Sequence, residues 1–436
     1  MNKDIVAVVL AGGVGKRFWP IRTYKSMIPF LGKRLLEHNI SRLANAGFHS
    51  ICVIANLEDK EAVESIHIDN TKIDIVIQKQ PLGMGDALLS AHNYINSHAC
   101  LVVNAEDVVD DALYTKLIEE AHKGNAFIVG KKVQGYRDLG YLRFENDKLI
   151  EVVEKPGKGN EPSDLVNLVF HFFPDISVFL KLLKDTVSDK DDIYERALSA
   201  YTQQVATNVI PYNGYWYPLK YPWHALDIMN YLLRTYVVNH RGTKVVIKEN
   251  VILEGQVFID DDVKIFENTK IVGPCYIGKG TIIGSNSIIR TSHIGDNCVT
   301  GFNTDITRSY IGDGCWFHSN YIGDSVLEGN VSMGSGTVLA NLRLDEGEIY
   351  SVVKNEKLNT ERMKLGAIIG KNVRIGVNAS IMPGVKIGSN SSIGAGIILG
   401  RDIPDQSFCF GTSTLTITPN RFDIASLSRD ELKKSL

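Results

Sequence analysis

Gly12, Gly13 and Gly15 close a hydrophobic run, and Lys16 and Arg17 follow them in the stretch VVLAGGVGKRFWP (Val8–Pro20). Glycines let backbone N–H groups approach a phosphate closely, and a guanidinium presents planar donors to its non-bridging oxygens. The stretch therefore suits a polyphosphate. It is not a P-loop, because Leu10 and Arg17 stand where that motif needs Gly and Ser or Thr. It is not a dinucleotide fingerprint either, because Phe18 takes the place of the third glycine. Glycine spacing alone is equally compatible with a structural turn. His318, followed by Tyr321, Gly323 and Asp324, is one histidine among 11 and taken alone reads as a surface residue on a coil. An imidazole can take a proton near neutral pH. His171 and His293 lack such company and read as structural, while Trp316 and Phe317 could line a pocket or cap a coil.

The elements that must position these groups divide into two halves. In the first, short apolar runs alternate with amphipathic stretches: DIVAVVLA, SICVIAN, ACLVVNA and NAFIVGKKV read as strands. RLLEHNISRLANAGF, DALLSAHNYI and DALYTKLIEEAHKG read as helices. That alternation predicts an α/β Rossmann-like domain with a mostly parallel sheet. Ligands of such sheets sit at the carboxyl ends of strands, where both Gly12 and Asp107 fall.

The second half has a period of six. Ile247, Leu253, Ile259, Ile265, Ile271, Ile277, Ile283 and Ile289 keep it; it slips near TSHIGDN and resumes from Ile369 to Leu399. A six-residue repeat fits one flat face of a triangular parallel β-helix, with one aliphatic residue inward per face and small residues at the corners. The reading places the α/β domain at 1–230, a connecting helix at 231–242, the β-helix at 243–411 with a loop at 342–366, and a tail at 412–436. The tail carries Ser428 and Glu431 at capping-box spacing, which predicts a short helix.

Bulk composition excludes several classes. The chain has 436 residues, 44% hydrophobic and 22% charged, with net charge −3, so no nucleic-acid or membrane surface is expected. Six scattered cysteines without a Cys-x-x-Cys pair argue against zinc and for a reducing cytoplasm. The N-terminus shows no signal peptide, and no apolar run is long enough to span a bilayer.

LAGGVGKRFWP…KSMIPFLGK resembles the signature of sugar-1-phosphate nucleotidylyltransferases, LAGGxGxRLxPLT…PKPxxPxxGKP. Gly12, Gly13, Gly15, Arg17, Pro20, Lys25, Pro29, Gly32 and Lys33 match, while Tyr24 and Ser26 replace the prolines that usually flank the lysine. QKQPLGMGDALLSA resembles the family's base-recognition segment, which implies that Gln78 and the Gly83 backbone read a pyrimidine. The implied nucleotide site comprises Leu10, Gly12, Gly13, Gly15, Gln78 and Gly83. VVNAED resembles the strand end that carries a Mg²⁺ ligand, implying Asp107, with Glu106 in place of the usual glycine. LGY, EVVEKP and LVNLVF resemble the sugar-binding run, implying Gly140, Glu154, Lys155 and Asn167.

The implied reaction is attack of a sugar 1-phosphate oxygen on the α-phosphorus of UTP or dTTP, with pyrophosphate leaving. Arg17 would bind the pyrophosphate and Lys25 would bridge the reacting phosphates. Positioning and charge neutralisation would carry the chemistry without a covalent residue. One departure concerns the metal. The family's second ligand is the Asp of W-x-D-V, and GYWYPLKYPWHAL has Pro218 there and His224 in place of another acid. Asp107 alone, or with Glu106 or Asp110, would then hold Mg²⁺.

Cys315–Gly347 resembles the acetyltransferase segment of two-domain N-acetylglucosamine-1-phosphate uridylyltransferases, including the ANLRxD loop and later KLGAxIG of archaeal members. The resemblance implies a left-handed β-helix and a homotrimer with acetyl-CoA bound between neighbouring solenoids. It implies His318 as general base for a sugar 2-amine, with Tyr321, Asn341 and Lys364 contacting the sugar phosphate or positioning the base. A lysine that bacterial members carry twelve residues before the histidine is Ile306 here, with Arg308 nearby. Co-occurrence of both sites favours a bifunctional enzyme. The alternatives are a monofunctional transferase with a structural β-helix, and, because of Pro218, a non-catalytic subunit that binds nucleotide sugars.

Overall fold

The computed structural model describes residues 5–13, 15–189, 192–411 and 418–419, so the expected helix at Ser428–Glu431 lies outside the described residues. Strand Ile5–Ala11 is buried from Val6 onward. It lies inside a 9-stranded sheet, parallel to Ser50–Ala55 on one side and to Ala99–Asn104 on the other. Leu165–Phe173 then runs antiparallel to Ala99–Asn104 and to Ala126–Lys132. Gly12 and Asp107 thus follow neighbouring parallel strands and share one sheet edge. Helix Leu35–Ala46 buries Leu35, Leu36, Ile40 and Leu43 on the sheet and stops at Gly47, whose φ of 109° returns its N–H to the last helical carbonyls.

Helix His224–Tyr236 starts seven residues before the expected connecting segment and ends six residues before that segment's end. Its buried Ala225, Leu226, Ile228, Met229, Leu232 and Leu233 recur at helical spacing. The next strand, His240–Arg241, already pairs with Val257–Ile259 of the solenoid.

The second domain is a left-handed β-helix of short parallel strands. Inward isoleucines from Ile259 to Ile403 form one continuous core. Leu253 is an exception, 42% exposed in the first coil. Asn250, Asn268 and Asn286 turn successive corners with φ between 56° and 59°, and their amides hydrogen-bond coil to coil. The phase slip has a geometric cause. Lys264 pairs with Ile282, 18 residues on, but Tyr276 pairs with His293 after 17 and Tyr310 with Val326 after 16. The following step, Val326 to Ile368, takes 42 residues because a hairpin leaves the solenoid. Its strands are Tyr350–Val353 and Glu356–Asn359.

The two domains share a core. Phe30, Leu35 and Trp223 pack with Tyr276, Tyr310, Leu365 and Ile368. A ring stack of His240, Phe258, Tyr276, His293 and Tyr310 runs along one solenoid face. The Tyr310 hydroxyl donates to the Pro29 carbonyl at 2.8 Å, and Glu328 accepts from the Arg22 and Thr23 backbone at 2.9 and 2.7 Å. A Cβ on Gly370 would come within 2.8 Å of the Pro20 carbonyl, so only glycine allows this approach.

Candidate active sites

Two adjoining cavities open at the carboxyl edge of the first sheet. The larger, about 650 Å³, is lined by Leu10, Gly12, Gly13, Gly15, Gln78 and Gly83 together with Arg17 and Lys25. The smaller, about 300 Å³, is lined by Asp107, Gly140, Glu154, Lys155 and Asn167, again with Arg17 and Lys25. The two cations therefore stand where the cavities meet.

In the larger cavity, Gly15 has φ 60°, and a Cβ on Gly12 would collide with Gln78 Oε1. Gln78 is buried; its Nε2 donates to Asp86 at 2.7 Å and to the Gly83 carbonyl at 3.2 Å. The Asp86 carboxylate only accepts, so the Gln78 carbonyl oxygen must face Gly12, where it can accept an imide N–H. Lys25 pairs with Glu106, the residue that stands in for glycine.

In the smaller cavity, Glu154 pairs with Lys155 at 2.6 Å, and Lys155 holds a strained φ of 46°. Asn167 is anchored by its oxygen to His171 Nε2 at 2.9 Å, and His171 Nδ1 meets the Tyr194 hydroxyl at 2.8 Å. Burial lowers His171 to about 3, so the ring is neutral and Nε2 donates. His171 thus orients Asn167, one of the residues expected to hold the sugar, a role that its sequence neighbours did not reveal. Lys220 is a second addition. It lines both cavities, and its ammonium donates to the Asp138 carbonyl at 3.2 Å. Burial, followed by the nearby Arg17 charge, lowers its pKa.

Whether these groups fit a divalent cation can be tested on Asp107. It is 4% exposed, and burial pushes its carboxyl up to about 7. A cation beside it would favour the ionised form. Mg²⁺ takes one or two carboxylates and completes its shell with phosphate and water. Asp107 with Glu106 on the same cavity wall fits that requirement. Asp110 does not, because its carboxylate caps the Leu113 N–H at 3.1 Å and accepts from Tyr212 and Tyr215 at 2.8 and 3.1 Å. Pro218 pairs directly with Asp107 across two antiparallel strands, which is where a second carboxylate would have stood. His224 is half-buried with Nδ1 2.8 Å from the Pro218 carbonyl, so it braces this turn.

On the solenoid, Tyr321 donates to Asn341 at 3.4 Å, and Asn341 Nδ2 meets Asp324 at 2.5 Å. Arg308 holds Asp324 through two bonds of 2.7 Å, so it joins the site network. Ile306 is fully buried in the solenoid core. His318 is exposed beside Trp316, and Lys364 is exposed on the returning chain. Among the described residues no hydrogen bond joins either side chain to the Tyr321–Asn341 pair. This site is an open coil face with its groups in two parts.

Comparison with known proteins matches a different family model to each half of the chain. A model of the nucleotidyl transferase family matches residues 6–218, and a six-repeat bacterial transferase hexapeptide model matches residues 256–291 and 366–397. The interval between the two hexapeptide segments holds the shortened coils and the hairpin. A bifunctional sugar-1-phosphate nucleotidylyltransferase/acetyltransferase of Sulfurisphaera tokodaii is 35% identical over 405 residues, covering 91% of this chain and 98% of that protein. The bifunctional protein GlmU of Methanococcus maripaludis is 33% identical over 95% of this chain and 99% of its own. That of Methanocaldococcus jannaschii is 31% identical over 93% and 97%.

Proposed function

This chain belongs to the nucleotidyl transferase family, in the two-domain form with hexapeptide repeats, and from that premise we propose that it carries out two reactions in sugar-nucleotide synthesis. In the second domain, the 2-amine of an amino-sugar 1-phosphate attacks the thioester carbon of acetyl-CoA. His318 accepts the amine proton, the C–N bond forms, and the C–S bond breaks to release the thiol. In the first domain, a phosphate oxygen of the acetylated sugar attacks the α-phosphorus of UTP or dTTP. The bond to the leaving pyrophosphate breaks as the new P–O bond forms.

The observation that carries this reading is the meeting of the two cavities at Arg17 and Lys25. The nucleotide enters one, the sugar phosphate the other, and the reacting phosphates come together between two cations. Gln78 and Gly83 orient the base, and Glu154, Lys155 and Asn167 orient the sugar. Asp107 and Glu106 would hold Mg²⁺, which supplies charge neutralisation at the α-phosphate. Three solenoids in a homotrimer would enclose acetyl-CoA against the open face around His318. The six cysteines, all free, support a reducing, cytoplasmic setting.

The test is pyrophosphate release with Mg²⁺ across nucleotides and sugar 1-phosphates, run beside thiol release from acetyl-CoA with glucosamine 1-phosphate. Release of both products is expected. Pro218 favours a second reading, binding without turnover. That reading predicts nucleotide-sugar binding with no pyrophosphate released.

A further inference from the structure

The larger cavity has a lining residue from the other domain. Lys354, in the turn of the hairpin that leaves the solenoid, lines it together with Gly13, Gly15, Lys16 and Arg17. Five cations face this cavity, Lys16, Arg17, Lys25, Lys220 and Lys354, against one carboxylate, Glu106. Lys25 is engaged by Glu106 and Lys220 by the Asp138 carbonyl. Among the described residues Lys354 has no hydrogen-bond or ion-pair partner. A concentration of cations in excess of their acceptors needs an anion with several charges.

The hairpin is held in place by specific contacts. Arg137 grips Glu361 through two bonds of 2.8 and 2.9 Å, and Arg362 pairs with Asp227 at 2.5 Å. Ile349 and Leu365 at its base are buried in the shared core. Lys386 of the solenoid is 1% exposed; it donates to the Val352 carbonyl, pairs with Asp402 at 3.2 Å and sits 5.1 Å from the Trp19 ring. One buried cation thus fixes Val352, two residues before Lys354, and Trp19, two residues after Arg17. The glycine loop and the hairpin tip are held to a common point.

We infer that Lys354 binds the phosphates that leave as pyrophosphate, so the second domain completes the nucleotidyl-transfer site of the first. This deepens the proposed function and rests on it. The segment also begins at Asn341 and ends at Lys364, two residues of the acetyltransferase set, which bridge through Leu342. One excursion of the chain therefore reaches both sites.

The test is binding of inorganic pyrophosphate to the full-length protein by calorimetry, with Mg²⁺, alongside nucleotidyl-transfer kinetics. Lys354→Ala should weaken pyrophosphate binding about tenfold and raise KM for the nucleotide similarly, leaving KM for the sugar phosphate and acetyl transfer unchanged. Lys354→Arg should restore most of the loss. Lys248→Ala, an exposed solenoid lysine, should change nothing. Pyrophosphate binding within twofold of wild type in Lys354→Ala, or equal weakening in Lys248→Ala, overturns the inference while leaving the proposed function standing. A wild-type protein that neither binds pyrophosphate nor releases it overturns both.

Discussion

The two sites are built on opposite plans. The proposed nucleotidyl cleft is concave and lies within one chain: its residues converge from several strand ends on two joined cavities. The acetyltransferase candidates lie on an open coil face, with Tyr321 and Asn341 in one hydrogen-bonded network and His318 standing apart beside Trp316. An α/β sheet edge collects side chains from distant parts of the sequence into a crevice. A solenoid presents a flat surface, and it gains a pocket only when something covers that surface. The first domain should therefore tolerate isolation of its chemistry in a single subunit, whereas the second should depend on a neighbour.

The sharpest way to break this comparison is His318→Ala. Acetyl transfer should fall about a thousandfold, the range of a lost general base, with pyrophosphate release intact. Loss of both activities would mean that the sites are not separable. Arg17→Ala is the reciprocal test. It should lower kcat/KM for nucleotidyl transfer about a hundredfold and leave thiol release unchanged. Glu106→Gln should raise the Mg²⁺ concentration for half-maximal pyrophosphate release about tenfold, read also as weaker Mn²⁺ binding by electron paramagnetic resonance.

The smallest effect expected separates the domains by acid. Burial lowers His38 and His224 to about 4 and His171 and His293 to about 3. Folded, these rings bind fewer protons than they do unfolded, so their stabilisation is complete above an unfolded value of about 6.5 and is lost as pH falls below it, by up to about 1.4 kcal/mol per unit for each ring. Three lie in the first domain and His293 at the domain junction. Apart from His293 the solenoid has no buried histidine among its described residues. Thermal unfolding followed from pH 7 to pH 5 should show the first domain loosening while the coils persist.

Much of this was legible in the sequence because the information was local. The glycine loop, the strand ends and the hexad isoleucines each declare themselves within a short window. Helix His224–Tyr236 carried a clear apolar period, yet its first residues overlap the YPWHAL stretch, which drew attention to site chemistry instead. Lys220, Lys354 and His171 were not read as site residues because only topology brings the two lysines to the cavities and His171 behind Asn167. The phase slip read as lost periodicity is a run of shorter coils, an effect visible only once strands are paired.

The ring stack and the hairpin together make the solenoid a ruler. Tyr276, His293 and Tyr310 fix where the first domain is seated, and the coils between Tyr310 and Asn341 set how far beyond the seat the hairpin emerges. Each coil adds one strand spacing, about 4.8 Å. Removing a single coil there would leave the remaining strands stacked in register. It would also draw Lys354 back by more than a hydrogen bond can span. The number of turns in this stretch is therefore constrained by the distance to a site in the other domain, and the coils that follow, through Lys386 and Asp405, are tied to the same domain.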